Sequence, residues 1–156
     1  SGYGQPIAEF SLGCDYRFPN TLHLKFEYFF HGRGLSRDDY YPDVMSYEGG
    51  AYLGRHYAAL GAGYQLHALV TLEWFALANL RDPSAYTALF GQISLSDDID
   101  MLVGLFAAAG ERPSVTIDEQ ALHDPANLDP SQLALSLPSE YGAAGCGLFL
   151  EIRGTF

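Results

Sequence analysis

The sequence has no apolar run near the ~20 residues that a membrane-spanning helix needs, although 48% of its 156 residues are hydrophobic. A helical membrane protein is therefore excluded. Positive charge is scarce as well: 8 Lys and Arg stand against 19 Asp and Glu, for a net charge of −11. Such a chain as a whole repels a phosphate backbone or an anionic lipid surface, so nucleic acid is not expected as a partner. Cysteine is limited to Cys14 and Cys146, a pair compatible with a disulfide or with two free thiols, and their spacing leaves both open. The start lacks a basic stretch followed by an apolar one, so any signal peptide is expected to have been removed or to lie outside the sequence. A single Trp and a single Lys, set beside 11 Tyr, 10 Phe and 17 Gly, suit strands and turns better than surface helices.

What is present is alternation with period two. Ala8, Phe10, Leu12, Cys14, Tyr16 and Phe18 interleave with Glu9, Ser11, Gly13, Asp15 and Arg17, the pattern of a strand with one oily face. After Pro19 and Asn20, Leu22, Leu24, Phe26, Tyr28 and Phe30 alternate with His23, Lys25, Glu27, Phe29 and His31. A third strand puts His56, Ala58, Leu60, Ala62, Tyr64 and Leu66 on the oily face. A fourth runs through Leu72, Trp74, Ala76 and Ala78 to the turn signal Asp82-Pro83-Ser84. The fifth carries Thr87, Leu89, Ile93 and Leu95, the sixth Ile99 to Ala109, and the last Cys146, Leu148, Leu150, Ile152 and Phe156. The reading is seven strands, with a further hairpin open between Val115–Leu122 and Gln132–Leu137.

A soluble sandwich alternates too, with its apolar face turned inward. Three features favour a membrane. The runs last about ten residues, the length a tilted strand needs to cross the hydrocarbon layer, where soluble strands average five or six. Tight turns at Pro19, His67 and Asp97 contrast with long links near 33–53 and 111–144, as in barrels with short periplasmic turns and long external loops. The non-oily face is also balanced in charge. Glu9, Asp15, Glu27, Glu73 and Glu151 stand against Arg17, Lys25, Arg55, Arg81 and Arg153, and charges enclosed in a lumen must pair or stay hydrated. Tyr16, Phe18, Tyr64 and Phe156 fall at the short-turn ends, where an interfacial girdle belongs. The expected fold is an all-β, antiparallel, up-and-down transmembrane β-barrel over residues 1–156, with seven or eight strands in this chain and room for more from elsewhere.

The run from Gly147 to Phe156 resembles the terminal strand of bacterial outer-membrane barrels, through Leu148, Leu150, Ile152 and Phe156, while Gly154 departs from that family's bulky residue two places before the end. The whole chain resembles the carboxy-terminal part of porin-like barrels, including Glu27-Tyr28-Phe29-Phe30-His31-Gly32 and Leu77-Ala78-Asn79-Leu80. The resemblance implies a bacterial outer-membrane location and recognition of the last strand by the barrel-assembly machinery. The bilayer with its lipopolysaccharide would be the immediate partner, and other envelope proteins or missing barrel strands further ones.

Function follows less directly. An outer-membrane phospholipase presents a nucleophilic Ser and its His toward lipid, whereas the oily face here offers only His56 and Thr87, so no enzymatic activity is expected. His23 and His31 lie eight residues apart, roughly 26 Å along a strand, too far to share a metal. Neither a metal nor a cofactor is expected. Acidic outer loops, with Asp38, Asp39, Asp43, Glu48, Glu111 and Glu140 among their residues, suggest a mouth that concentrates cations, and solvated loops are the plain alternative. The leading expectation is porin-like passive diffusion of small polar solutes or ions. A non-conducting structural or interaction barrel subunit of an envelope complex is the second, and a soluble lipocalin-like binder the third.

Overall fold

The computed structural model describes residues 8–35, 52–117 and 133–154, all of them strand, turn or connection. Seven strands form one sheet: β1 (Glu9–Arg17), β2 (His23–His31), β3 (His56–His67), β4 (Val70–Asn79), β5 (Ser84–Ser96), β6 (Ile99–Ala109) and β9 (Cys146–Gly154). Two short strands, β7 (Ser114–Ile117) and β8 (Leu133–Ser136), pair separately within the link from β6 to β9. They overlap the hairpin expected between Val115–Leu122 and Gln132–Leu137, of which 118–132 lie outside the described residues. Every neighbouring pair in the large sheet is antiparallel. β1 and β9 are its two edges, so the described residues form an open sheet and not a closed barrel.

The seven main strands hold 9 to 13 residues each, and register turns seven separate alternations into two continuous faces. Leu12 lies opposite Tyr28, Phe26 opposite Leu60, Ala62 opposite Trp74, and Trp74 opposite Leu89. Leu89 then meets Leu105, and Leu105 meets Leu148. Because a one-residue slip would invert a strand, this agreement across six ladders fixes the faces. Two bulges, between Gln65 and His67 and between Ser94 and Ser96, sit beside the tight turns and leave the faces intact. In the first turn Thr21 adopts a left-handed φ of 69°, costly for a β-branched residue, and its hydroxyl donates to the Gln65 carbonyl at 3.1 Å.

Nothing among the described residues covers the oily face: Leu12 is 69% exposed, Leu60 49%, Leu105 51% and Ile152 63%. The buried groups lie on the other side, where Tyr57 and Ala88 form the hydrophobic core and Asn79 and Ser84 are buried with them. There Phe75 stacks on Phe90 at 5.8 Å, Tyr86 on Phe106 at 6.1 Å, and Phe90 tilts against Phe149 at 5.8 Å. Gly104 and Gly147 make this possible. A Cβ on Gly104 would stand 2.2 Å from the Phe149 ring, and one on Gly147 2.4 Å from that of Phe106. Gly104→Val is therefore expected to destabilise the folded chain by about 1–3 kcal/mol through overpacking, read as a lower urea midpoint in detergent. An unchanged midpoint would show that the rings have space to retreat.

Candidate functional site: the ionic face and its polar clasp

The ionic face divides into two halves. On β1 to β3 and the near edge of β4 it carries charge. Asp15 lies opposite Lys25, with Arg17 opposite His23 at the short-turn end, and the Asp15 carboxylate meets His23 Nε2 at 2.9 Å. Glu27 accepts a hydrogen bond from the Ser11 hydroxyl. Glu9, at the other end of β1, pairs with His31 Nδ1 at 2.8 Å. Glu73 lies opposite Gly63 on one side and Phe90 on the other. A hollow of about 320 Å³ opens between His23, Lys25, Glu73, Phe75 and Phe90. On β5, β6 and β9 the same face carries rings, glycines and small uncharged side chains, and its charged groups gather near the short-turn end: Asp100 lies opposite Arg153, and Glu151 and Arg153 bond along their own strand at 2.8 and 3.0 Å.

The structure thus brings Asp15, Arg17, Lys25, Glu27 and Glu73 onto one patch, while Glu151 and Arg153 stand at the far edge of the sheet. Arg55 and Arg81 lie beyond the strand ends. Arg55 Nε donates to the Gly34 carbonyl at 2.6 Å, tying the two sides of the β2–β3 link. Arg81 is exposed in the β4–β5 turn, its backbone N–H donating to Asn79 Oδ1 at 2.9 Å. Leu148, Leu150 and Ile152, expected to belong to an assembly signal, are all exposed on the oily face; Phe156 lies outside the described residues. Cys14 and Cys146 are free thiols, exposed on the two edge strands.

Alternation alone gives no hint of the clasp at the long-link end. Residues before β9 fold back over the ionic face, and Glu140 is their anchor. Its Oε2 accepts from the Tyr57 hydroxyl at 2.6 Å and from Asn79 Nδ2 at 2.9 Å, and its Oε1 from the Leu53 N–H at 3.0 Å. Asp82 completes the knot: Oδ2 accepts from the Glu140 N–H at 3.0 Å and from Asn79 at 3.1 Å, and Oδ1 from the Ser84 hydroxyl. Ser139, fully buried, donates to the Glu111 carbonyl at 2.7 Å and accepts from the Gly142 N–H at 3.1 Å. Both carboxylates are saturated with donors, so the arrangement suits holding the strap down rather than moving a proton. Gly54 is needed for this closeness, since its Cβ would fall 2.3 Å from Asn79 Nδ2.

Polar groups on the oily face satisfy one another. The Tyr28 hydroxyl and His56 Nδ1 are 2.7 Å apart. Trp74 Nε1 donates to the Thr87 hydroxyl at 2.9 Å, and that hydroxyl donates to the Phe75 carbonyl at 2.9 Å. Rings gather at both ends of this face. Phe10 and Phe30 stack at 5.4 Å near the long links, with His56 5.2 Å from Phe30, while Tyr16 and Phe18 meet edge-on at 4.7 Å by the short turn. The first of these clusters is a second aromatic rim. Among the described residues no three His, Cys, Asp or Glu side chains are grouped to hold a metal ion, and no helix is long and apolar enough to cross a membrane. The chain matches no family model, no curated protein and no solved structure.

Glu140→Ala removes the acceptor of the buried Tyr57 hydroxyl and one of the two acceptors of Asn79 Nδ2, at a cost of about 1–3 kcal/mol. The strap is expected to detach before the sheet melts, giving faster amide exchange and proteolysis at 137–145 with β3 and β4 still protected. Loss of protection in all strands together would mean that the clasp holds up the whole fold.

Proposed function

We propose that this chain forms wall of an outer-membrane β-barrel, its oily face against acyl chains and its ionic face toward an enclosed, hydrated interior that passes small polar solutes or ions by passive diffusion. One observation carries the reading, the continuous apolar face that nothing among the described residues covers. Seven strands about 4.8 Å apart and about ten residues long present a surface on the order of 900 Å². The largest apolar patch on a soluble monomer is roughly 300–600 Å². The two aromatic rims support the same reading: Phe10 and Tyr16 are six residues apart, roughly 20 Å along the strand, comparable with an apolar band of about 25 Å between aromatic girdles. The Trp74–Thr87 pair between the rims and the Tyr28–His56 pair at one of them suit a medium without water, where an unpaired donor is expensive.

Passage is supported by the charged half of the ionic face, where Lys25 and Glu73 line the hollow and Asp15, Lys25 and Glu27 line another beside it. The ring-filled half and the strap favour a second reading, a non-conducting barrel subunit held in an envelope complex. Planar-bilayer recordings on the barrel extracted from membranes containing this chain separate the two. Discrete conductance steps are expected, and persistent silence would leave the structural reading. The orientation has its own test in vesicle insertion. Leu60→Arg and Leu105→Arg are each expected to weaken insertion by about 2–4 kcal/mol, as charge on a lipid face does near mid-membrane. Lys25→Leu on the opposite face is expected to leave insertion intact. Equal tolerance of all three would reject the assignment of faces.

A further inference from the structure

We propose that a hollow on the ionic face, walled by three aromatic rings and the Glu27 carboxylate, binds a small organic ammonium ion. The inference goes beyond the membrane reading: it needs only that water reaches the ionic face, and it holds for a conducting and a non-conducting barrel alike. The hollow has a volume of about 270 Å³ and lies between mid-strand and the long-link end of β1 to β4. Register explains why it is there. Ala59 lies opposite Glu27 on one side and Leu77 on the other, so a methyl group stands among longer side chains and the face dips. Phe29 and Tyr57, opposite each other two residues further along, bound the dip toward the long links.

Tyr52 joins them from the link before β3. Its ring centroid is 5.6 Å from that of Phe29 and 5.0 Å from that of Tyr57, at tilts of 58° and 54°, so it forms a wall at an angle to theirs and not a third leaf of a stack. The Tyr57 ring is pinned, because its hydroxyl donates to Glu140 at 2.6 Å and accepts from the Gly54 N–H at 2.5 Å. Glu27 supplies the charge. Its Oε1 accepts from the Ser11 hydroxyl, and among the described residues the carboxylate has no ion pair. None of the described residues lining the hollow is basic; Lys25, two residues away on β2, lines the neighbouring ones. These walls select their ligand. Glu27 repels an anion, and a hard metal ion wants several oxygen ligands where rings and aliphatic groups make up most of the lining. An ammonium ion clothed in methyl or methylene groups fits both parts: rings attract the cation, Ala59 and Leu77 meet its apolar groups, and Glu27 balances its charge. The volume is below the roughly 300–1,000 Å³ of drug-sized pockets, so the ligand is small. The net charge of −11 draws cations from a distance.

Choline is the probe, titrated by calorimetry into the barrel extracted from membranes containing this chain, in a maltoside detergent that has no ammonium headgroup. Its uncharged carbon analogue, with a tert-butyl group in place of the trimethylammonium, is titrated beside it. Choline is expected to bind at one site per chain, and the analogue at least about tenfold more weakly. Glu27→Gln should weaken choline binding at least about fivefold. Phe29→Leu and Tyr52→Leu should each weaken it about two- to thirtyfold, as loss of a cation–π contact does. Tyr52 lies outside the strands, so its variant keeps the ring test standing should Phe29→Leu not fold. Asp98→Asn, in the turn between β5 and β6, removes the same charge elsewhere and should change binding less than about twofold. The inference is overturned if choline does not bind, if the analogue binds equally well, if a folded ring variant binds undiminished, or if Asp98→Asn costs as much as Glu27→Gln. A chain that dissolves without detergent fails the membrane reading instead, and the same titration in buffer then decides the site.

Discussion

The structure depends on seven strands keeping one register, so that all their apolar side chains emerge on the same face. Backbone hydrogen bonds hold neighbouring strands together, but they do not choose which side of each strand is oily. That choice comes from alternation in the sequence, and it propagates from Leu12 on β1 to Leu148 on β9 through directly opposed residues. The usual fate of such a face is burial against a second layer. No second layer exists among the described residues, and the buried groups are found behind the sheet instead.

Behind the sheet the filling is uneven in a way that the glycines explain. At Gly104 and Gly147 the missing side chains admit the rings of Phe149 and Phe106, so the β5, β6 and β9 half is packed with aromatic groups. At Gly61 and Gly63 the same absence leaves room beside Lys25 and Glu73. The strap anchored by Glu140 crosses the long-link end, where Tyr57, Asn79 and Asp82 hold it through hydrogen bonds. A face with one ring-packed half and one charged half, partly covered at the long-link end, is compatible with either of the two readings proposed above.

Much of this was legible in the sequence. Period-two alternation is a local signal, so each of the seven strands, its turn and its oily face could be read from consecutive residues. The short β7–β8 pair fell where apolar runs flanked the acidic link. The clasp was not legible, because Glu140 lies 83 residues from Tyr57 and 61 from Asn79, and no pattern in one strand announces a partner so distant. Local signs existed only for its near half, in the Asn79 and Asp82 side chains that bond two residues onward, as turn-forming Asn and Asp do. The charge count on the ionic face matched acids with Arg and Lys, whereas Glu9 and Asp15 meet His31 and His23. Formal charge counting leaves histidine out. Arg55 and Arg81 continue the alternation on paper but sit past the strand ends, where chain direction no longer follows it.

Trp74 is the only tryptophan in the chain, lies mid-strand on the oily face of β4, and is partly exposed, so its fluorescence reports directly on what touches that face. In vesicles of brominated phosphatidylcholine its emission should be strongly quenched, while aqueous iodide leaves it almost unchanged. Quenching by iodide with no response to brominated lipid would place the oily face outside the bilayer and contradict the account.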